Sequence, residues 1–228
     1  MTAKQAEQLQ SIYDIVSEQG SEFHNLYTKE YLTQEDMIYI LENQMFYNIF
    51  LGSEVELNNS VGATNRWIII GMNHDGTENT FDLLAKHSMK DGIAYGSNQY
   101  WANTGCTIRT WLNGEFLAGF DSEIAAHITT MDVRTNNAVT QDKVKLLSVA
   151  ELGVTHDYAT VGEGTKYEHI CPHVKYNSSK TANCWYWLRS RSTCNSSYAW
   201  CVDTYGNVDV GSTISNAGGS AVPVIRLS

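Results

Sequence analysis

The chain has 228 residues, a formal charge of −10 from 15 Lys+Arg against 25 Asp+Glu, and 43% hydrophobic residues. That length suits one ordinary domain with an appendage and can enclose a real core, while the acidic balance excludes a phosphate-tracking nucleic-acid binder and electrostatic adsorption to an anionic membrane. No apolar run approaches the ~20 residues of a membrane span, and the opening Met-Thr-Ala-Lys-Gln-Ala-Glu-Gln has no apolar signal core, so the expectation is cytoplasmic synthesis without a signal peptide and no membrane insertion.

Over residues 4–19, Ala6, Leu9, Ile12, Tyr13 and Val16 recur at three- and four-residue steps up to Gly20, which predicts an amphipathic helix. Thr33-Gln34-Glu35-Asp36 can cap a second helix running through Met37, Ile40, Leu41 and Met45 as far as Ile49. Residues 1–51 are therefore expected as a helical appendage. It either packs on its own domain or forms an oligomerisation or docking collar, because short helices need a partner face in water.

From Gly52 the pattern changes to that of a second region, 52–228. Val55–Leu57, Trp67–Met72 and Phe81–Ala85 read as short strands, with Asn73-His74-Asp75-Gly76 as turn chemistry between the last two. Ile108, Trp111, Leu112 and Phe116 predict a helix over 107–117, and Asp121 can cap another over 122–128. Val144–Leu147 reads as a strand, and Ser148-Val149-Ala150-Glu151 has capping-box spacing. Residues 154–183 carry no period, an unusually long connection for a compact domain. Beyond the Trp185–Arg191 anchor, Ala199–Val202, Asn207–Val210 and Val222–Leu227 should be strands, with turns at Tyr205-Gly206, Gly211 and Gly218-Gly219.

The composition of the last segment is the strongest signal. Residues 181–228 contain no Lys, Gln, Glu or Met, although about 8 would be expected at the frequency of these residues in the whole chain. These four types, with Trp, are those that an Asn codon ending in a pyrimidine cannot reach when its two adenines are randomised. Asn, Ser, Thr, Tyr, Cys, Asp, Gly and Ile are all reachable. Trp185, Trp187 and Trp200 thus belong to a framework, and the residues between them to a display surface.

The run Trp187-Leu188-Arg189-Ser190-Arg191, then Ala199-Trp200-Cys201-Val202 with Gly206, then Pro223-Val224-Ile225-Arg226-Leu227, resembles the variable region of diversity-generating retroelement target proteins. These include phage receptor-binding proteins of the major tropism determinant type. Trp101-Ala102-Asn103-Thr104 and Ile108-Arg109-Thr110-Trp111-Leu112-Asn113-Gly114-Glu115-Phe116 are similar to lectin-like domains related to formylglycine-generating enzymes. The two resemblances cover roughly residues 52–228. One departure is that such variable regions commonly end Gly-Val-Arg-Pro, whereas this chain has Ser220-Ala221-Val222-Pro223. The fold implied is α+β, a C-type-lectin-like domain of short antiparallel strands, with a variable region at about 184–217.

Tyr supplies large, stiff contact area, and Ser, Asn, Thr and Gly supply adaptable hydrogen bonding, the recipe of an antibody paratope. The expected ligand-binding set is Tyr186, Cys194, Asn195, Ser196, Tyr198, Cys201, Asp203, Tyr205, Asp209, Gly211, Ser212, Thr213, Ile214, Ser215 and Asn216. Arg189 and Arg191, at alternate positions, should point the same way and bond loop carbonyls.

Five cysteines form no disulfide or zinc pattern. His169-Ile170-Cys171-Pro172-His173 groups potential metal ligands but has no second cluster, and no Gly-x-Ser-x-Gly, His-Glu-x-x-His or Walker motif occurs. No catalytic residue, cofactor or metal is expected. The resemblance implies a non-enzymatic receptor-binding protein of a phage tail, located in the virion, homo-oligomeric with a trimer favoured, and recognising a host surface protein or glycan. The alternatives are a bacterial cell-associated variable protein and, from another class, a copper oxidase of the formylglycine-generating type using Cys184, Cys194 or Cys201. Fold kinship alone does not transfer chemistry.

Overall fold

A computed structural model describes residues 25–26, 28–135, 138–160, 162–169 and 175–228. The helix expected over 4–19 lies outside the described residues, as do Ile170, Cys171, Pro172 and His173.

The first described helix, α1 (Gln34–Glu42), begins in the expected capping box: Thr33 Oγ1 accepts from the Asp36 N–H at 3.3 Å and Asp36 Oδ2 from the Thr33 N–H at 2.9 Å. It stops well short of Ile49 because Gln44 takes φ 53°, a left-handed conformation that a right-handed helix cannot continue through. A single 3₁₀ turn, Asn48–Phe50, follows.

Met37, Ile40, Leu41, Met45 and Phe50 are buried in one cluster with Val55, Trp67 and Phe81. The backbone joins too, since Leu32 exchanges two 2.8 Å hydrogen bonds with Glu54 and Glu56. Of the two placements considered for the N-terminal helices, the described part packs on its own domain: from Leu26 onward the described residues share the core of the rest, because the apolar stripe of α1 is covered by the sheet.

Three strands follow in order, β1 (Glu54–Glu56), β2 (Arg66–Met72) and β3 (Phe81–Ala85). Helix α2 (Thr107–Trp111) runs directly into a π turn at Leu112–Phe116, and α3 is Ser122–His127. The side chain of Asn113 holds that turn against the backbone of residues 143–144, accepting from the N–H groups of Lys143 and Val144 at 3.0 Å and donating to the Val144 carbonyl at 2.8 Å. Asp121 stands at the start of α3 without capping it through its side chain, and accepts from Gln34 Nε2 instead.

The hairpin of β4 (Met131–Thr135) and β5 (Ala138–Asp142) was not anticipated, although Met131, Val133 and Thr135 are buried and Asp132 and Arg134 exposed in strict alternation. After β6 (Val144–Leu146) come the two-residue strands β7 (Lys175–Tyr176) and β8 (Asn183–Cys184), then β9 (Tyr186–Arg191), β10 (Tyr198–Val202), β11 (Val208–Thr213) and β12 (Pro223–Leu227).

The result is α+β, and every strand pairing is antiparallel. The main sheet has the order β1-β2-β3-β12-β6, so the last strand of the chain is inserted between β3 and β6 with all five residues buried. Its Arg226, the basic residue of the final anchor, is neutralised inside the protein by Asp82 through Nε and Nη2 at 2.5 and 2.7 Å. Tyr167 donates to the same carboxylate at 2.7 Å and stacks on His74, which ties the long connection before β7 to the core.

Candidate recognition face

Strands β11, β10 and β9 form a separate three-stranded antiparallel sheet. Trp187 and Trp200 are fully buried beneath it. A buried indole N–H wants an acceptor, and Trp187 finds the Ile93 carbonyl at 2.8 Å while Trp200 lies 3.4 Å from that of Tyr158. Trp200 sits where the register of β10 shifts against both neighbours, a bulge that re-aims a side chain locally. Trp185, half-buried, packs edge-on to Trp187 at 4.9 Å. The backbone of Gly219 passes so close to both rings that a Cβ there would meet Trp187 Nε1 and stand 2.7 Å from Trp185 carbons. Gly219→Ala should therefore cost about 1–3 kcal/mol by overpacking, read as a lowered urea midpoint.

Behind the sheet, Arg189 is 1% exposed and anchors β9. Its guanidinium pairs with both carboxylate oxygens of Glu151 and donates to two carbonyls, that of Glu163 in the long connection, as expected of it, and that of Leu146 at the end of β6. Lys145 reaches Glu151 at 2.7 Å. Burial alone would raise the Glu151 carboxyl, but the charges of Arg189 and Lys145 hold it down at about 2. Glu163, bonded to Ser190, is pushed up by burial. Ser148 and Glu151 also cap one another's N–H at 3.0 Å, the box read from their spacing. What that spacing could not reveal is that the same carboxylate neutralises two distant cations. Arg191 emerges at the edge and stacks over Tyr100 at 5.0 Å.

The loops above this base are held by short side-chain turns. Asn195 Oδ1 accepts from the Ser197 N–H, Asp203 Oδ1 from Tyr205 and Asn207, and Asn216 Oδ1 from Gly218, each at 2.8 Å. These are Asx turns, in which a small polar side chain substitutes for a backbone acceptor. The Asn207 amide, with the loop N–H groups, holds the Asp203 carboxyl below the usual range. Ile214 connects two loops, donating its N–H to Ser197 and accepting from Gly96.

Of the expected ligand-binding residues, Cys194, Asn195, Ser196, Tyr205, Asp209, Gly211, Thr213, Ser215 and Asn216 are exposed, and Tyr198, Asp203 and Ser212 half-buried. Tyr205 stands at the β10–β11 turn, 83% exposed. Three of the expected residues are not at the surface: Tyr186, Cys201 and Ile214 are 2%, 6% and 8% exposed and pack within the core cluster. Tyr186 faces the core because β9 is covered on both sides, Cys201 points its sulfur at Gly211, and Ile214 plugs the loop junction. The flank missed in the sequence is the loop at 156–160. Its Tyr158 carbonyl receives both the Thr193 N–H and the Trp200 indole, and its His156 packs edge-on to Trp200 at 4.9 Å. No period marks that loop, and only the adjacent aromatics could have signalled it.

Cys106, Cys184, Cys194 and Cys201 are free thiols. Burial, then the carboxylates of Asp209 and Asp203, pushes the Cys201 thiol up to about 12, the reverse of an activated nucleophile. Alkylation by iodoacetamide at neutral pH, followed by peptide mapping, should label exposed Cys194 well before Cys201. Among the described residues no group of three His, Cys, Asp or Glu side chains could hold a metal ion.

The described residues thus form an α+β domain whose C-terminal part builds a stiff, tryptophan-backed sheet with a small-polar and tyrosine surface. Residues 79–226 match the family described as a domain of unknown function, DUF6273, and the chain belongs to that family. The match takes in β3 through β12 and so the whole of this sheet. No curated protein and no solved structure matches the chain. No described helix is long and apolar enough to cross a membrane.

Proposed function

We propose that this protein is a diversified ligand-recognition protein whose C-terminal surface is varied by a diversity-generating retroelement. The observation that carries the reading is the coincidence of two boundaries. The segment free of Lys, Gln, Glu and Met is also the one whose exposed side chains are Tyr, Ser, Thr, Asn, Asp and Cys on a base of buried Trp and Arg. The exposed side chains can be exchanged without opening the core, and the Asx turns at Asn195, Asp203 and Asn216 tolerate other reachable types such as Ser and Asp.

The resemblance extends this to a C-type-lectin-like fold and a phage tail receptor-binding protein, carried in the virion as a homotrimer. Several copies acting together would raise weak single contacts to useful avidity for a host protein or glycan.

The test has two arms. The encoding DNA should carry a near-identical, adenine-bearing template of the last coding segment beside a reverse transcriptase, with mismatches at positions such as Asn195, Tyr198 and Tyr205 and none at Trp187 or Trp200. A set of variants with Tyr198, Tyr205, Asp209, Thr213 and Ser215 exchanged together for other reachable types should keep the parental melting temperature and change which bacterial surface is bound. A collapsed fold, or unchanged partner choice, would refute the reading.

A further inference from the structure

A cleft of about 680 Å³ among the described residues lies away from the display loops and shares no residue with them. It is bounded by Asp75 and Thr77 of the β2–β3 connection, by Thr130, Asp132 and Arg134 of the β4 hairpin, and by Gly162, Gly164 and Thr165, with Arg189 and Arg226 in its floor. The donors and acceptors in it are unequally committed. The Arg226 guanidinium is occupied by Asp82, Thr77 Oγ1 and the His74 carbonyl. Arg189 spends its four terminal N–H groups on Glu151 and two carbonyls, but its Nε, on a side chain 1% exposed, has no partner among the described residues. Arg134 is exposed on β4 and makes no ion pair among the described residues.

The opposite wall is a chain segment of unspent amides. Gly162 and Gly164 take φ +77° and +107° while Glu163 and Thr165 between and after them do not have positive φ, and among the described residues the N–H groups of 163–166 donate to no backbone carbonyl, whereas Tyr167 N–H returns to Glu151. Successive amides in such alternating conformations form a concavity that favours an oxyanion. The acceptors are Asp75, already receiving the Thr165 hydroxyl at 2.7 Å, and Asp132, receiving Gln141 Nε2 at 2.5 Å. Each carboxylate keeps further lone pairs for hydroxyl donors. Their two negative charges at the rim oppose a dianion but not a single carboxylate held by Arg134.

The geometry points to a binding site for a small hydroxylated carboxylate of the sugar-acid class, its carboxylate between Arg134 and the 162–166 amides and its hydroxyls on Asp75, Asp132 and the threonines. This site is independent of the variable face. Calorimetric titration of the intact protein with glucuronate, glucose and inorganic phosphate tests it. Glucuronate should bind saturably at one site, with glucose and phosphate each weaker by about tenfold or more. Arg134→Ala should weaken glucuronate by a similar factor at unchanged melting temperature, Arg134→Lys should restore part of it, and Tyr205→Ser should leave it unaltered. Absent saturable glucuronate binding, equal binding of glucose, tighter phosphate, indifference to Arg134→Ala, or loss on Tyr205→Ser would each overturn the assignment.

Discussion

Glu151→Gln should lower the stability of the fold by about 3–5 kcal/mol, because it leaves the buried cations Arg189 and Lys145 facing an uncharged amide. Against a typical total of about 5–15 kcal/mol this is a large fraction, and equilibrium urea unfolding of the two proteins would measure it. The pH dependence gives an independent check. The Glu151 carboxyl lies at about 2 in the folded protein against 4.5 as its ordinary value. Its contribution is complete above about 4.5 and is lost as the pH falls toward about 2. Glu163 works in the opposite sense: its folded value is raised, so it favours the fold at low pH and that contribution is lost as the pH rises through the folded value. The parent should thus lose stability steeply in acid, and Glu151→Gln should flatten that limb. An unchanged acid limb would show that Glu151 is not the group responsible.

Trp187→Ala should cost about 3–5 kcal/mol through the cavity left in a close-packed site, and should free the Ile93 carbonyl that its indole satisfies. The ring packs against Tyr95 at 5.7 Å and Trp185 at 4.9 Å, so its removal loosens the base of β9 together with Ser220, which bridges to Tyr186 beside it. Tyr205→Ser, by contrast, should change the melting temperature little, because a side chain 83% exposed loses almost no buried contact. Thermal unfolding of the two variants side by side measures the separation between support and display. Similar losses in both would mean that the tyrosine belongs to the support.

Several elements were legible because their signals are local. The Thr33 and Ser148 capping boxes, the β2–β3 turn at Asn73–Gly76, and the strands around Trp187, Trp200 and Ile225 each depend on neighbours within a few residues in sequence. Exposure at the display loops was legible for most positions through composition, since small polar residues between turns seldom find a core. It failed at Tyr186, Cys201 and Ile214, where the reachable residue types include apolar and amphipathic ones that bury equally well.

The sequence by itself determined the helix caps, the strand periods and the contrast in the C-terminal segment between buried tryptophans and an exposed small polar surface. Only the tertiary structure decided that α1 belongs to the core, that β12 enters the middle of the main sheet, and that Arg189, Glu151, Lys145 and Glu163 meet behind the three-stranded sheet. The reason is that caps and periods are set by the backbone within one or two turns. Sheet order and the pairing of buried charges, in contrast, are set by which distant surfaces exclude water from one another, and no spacing along the chain encodes that directly.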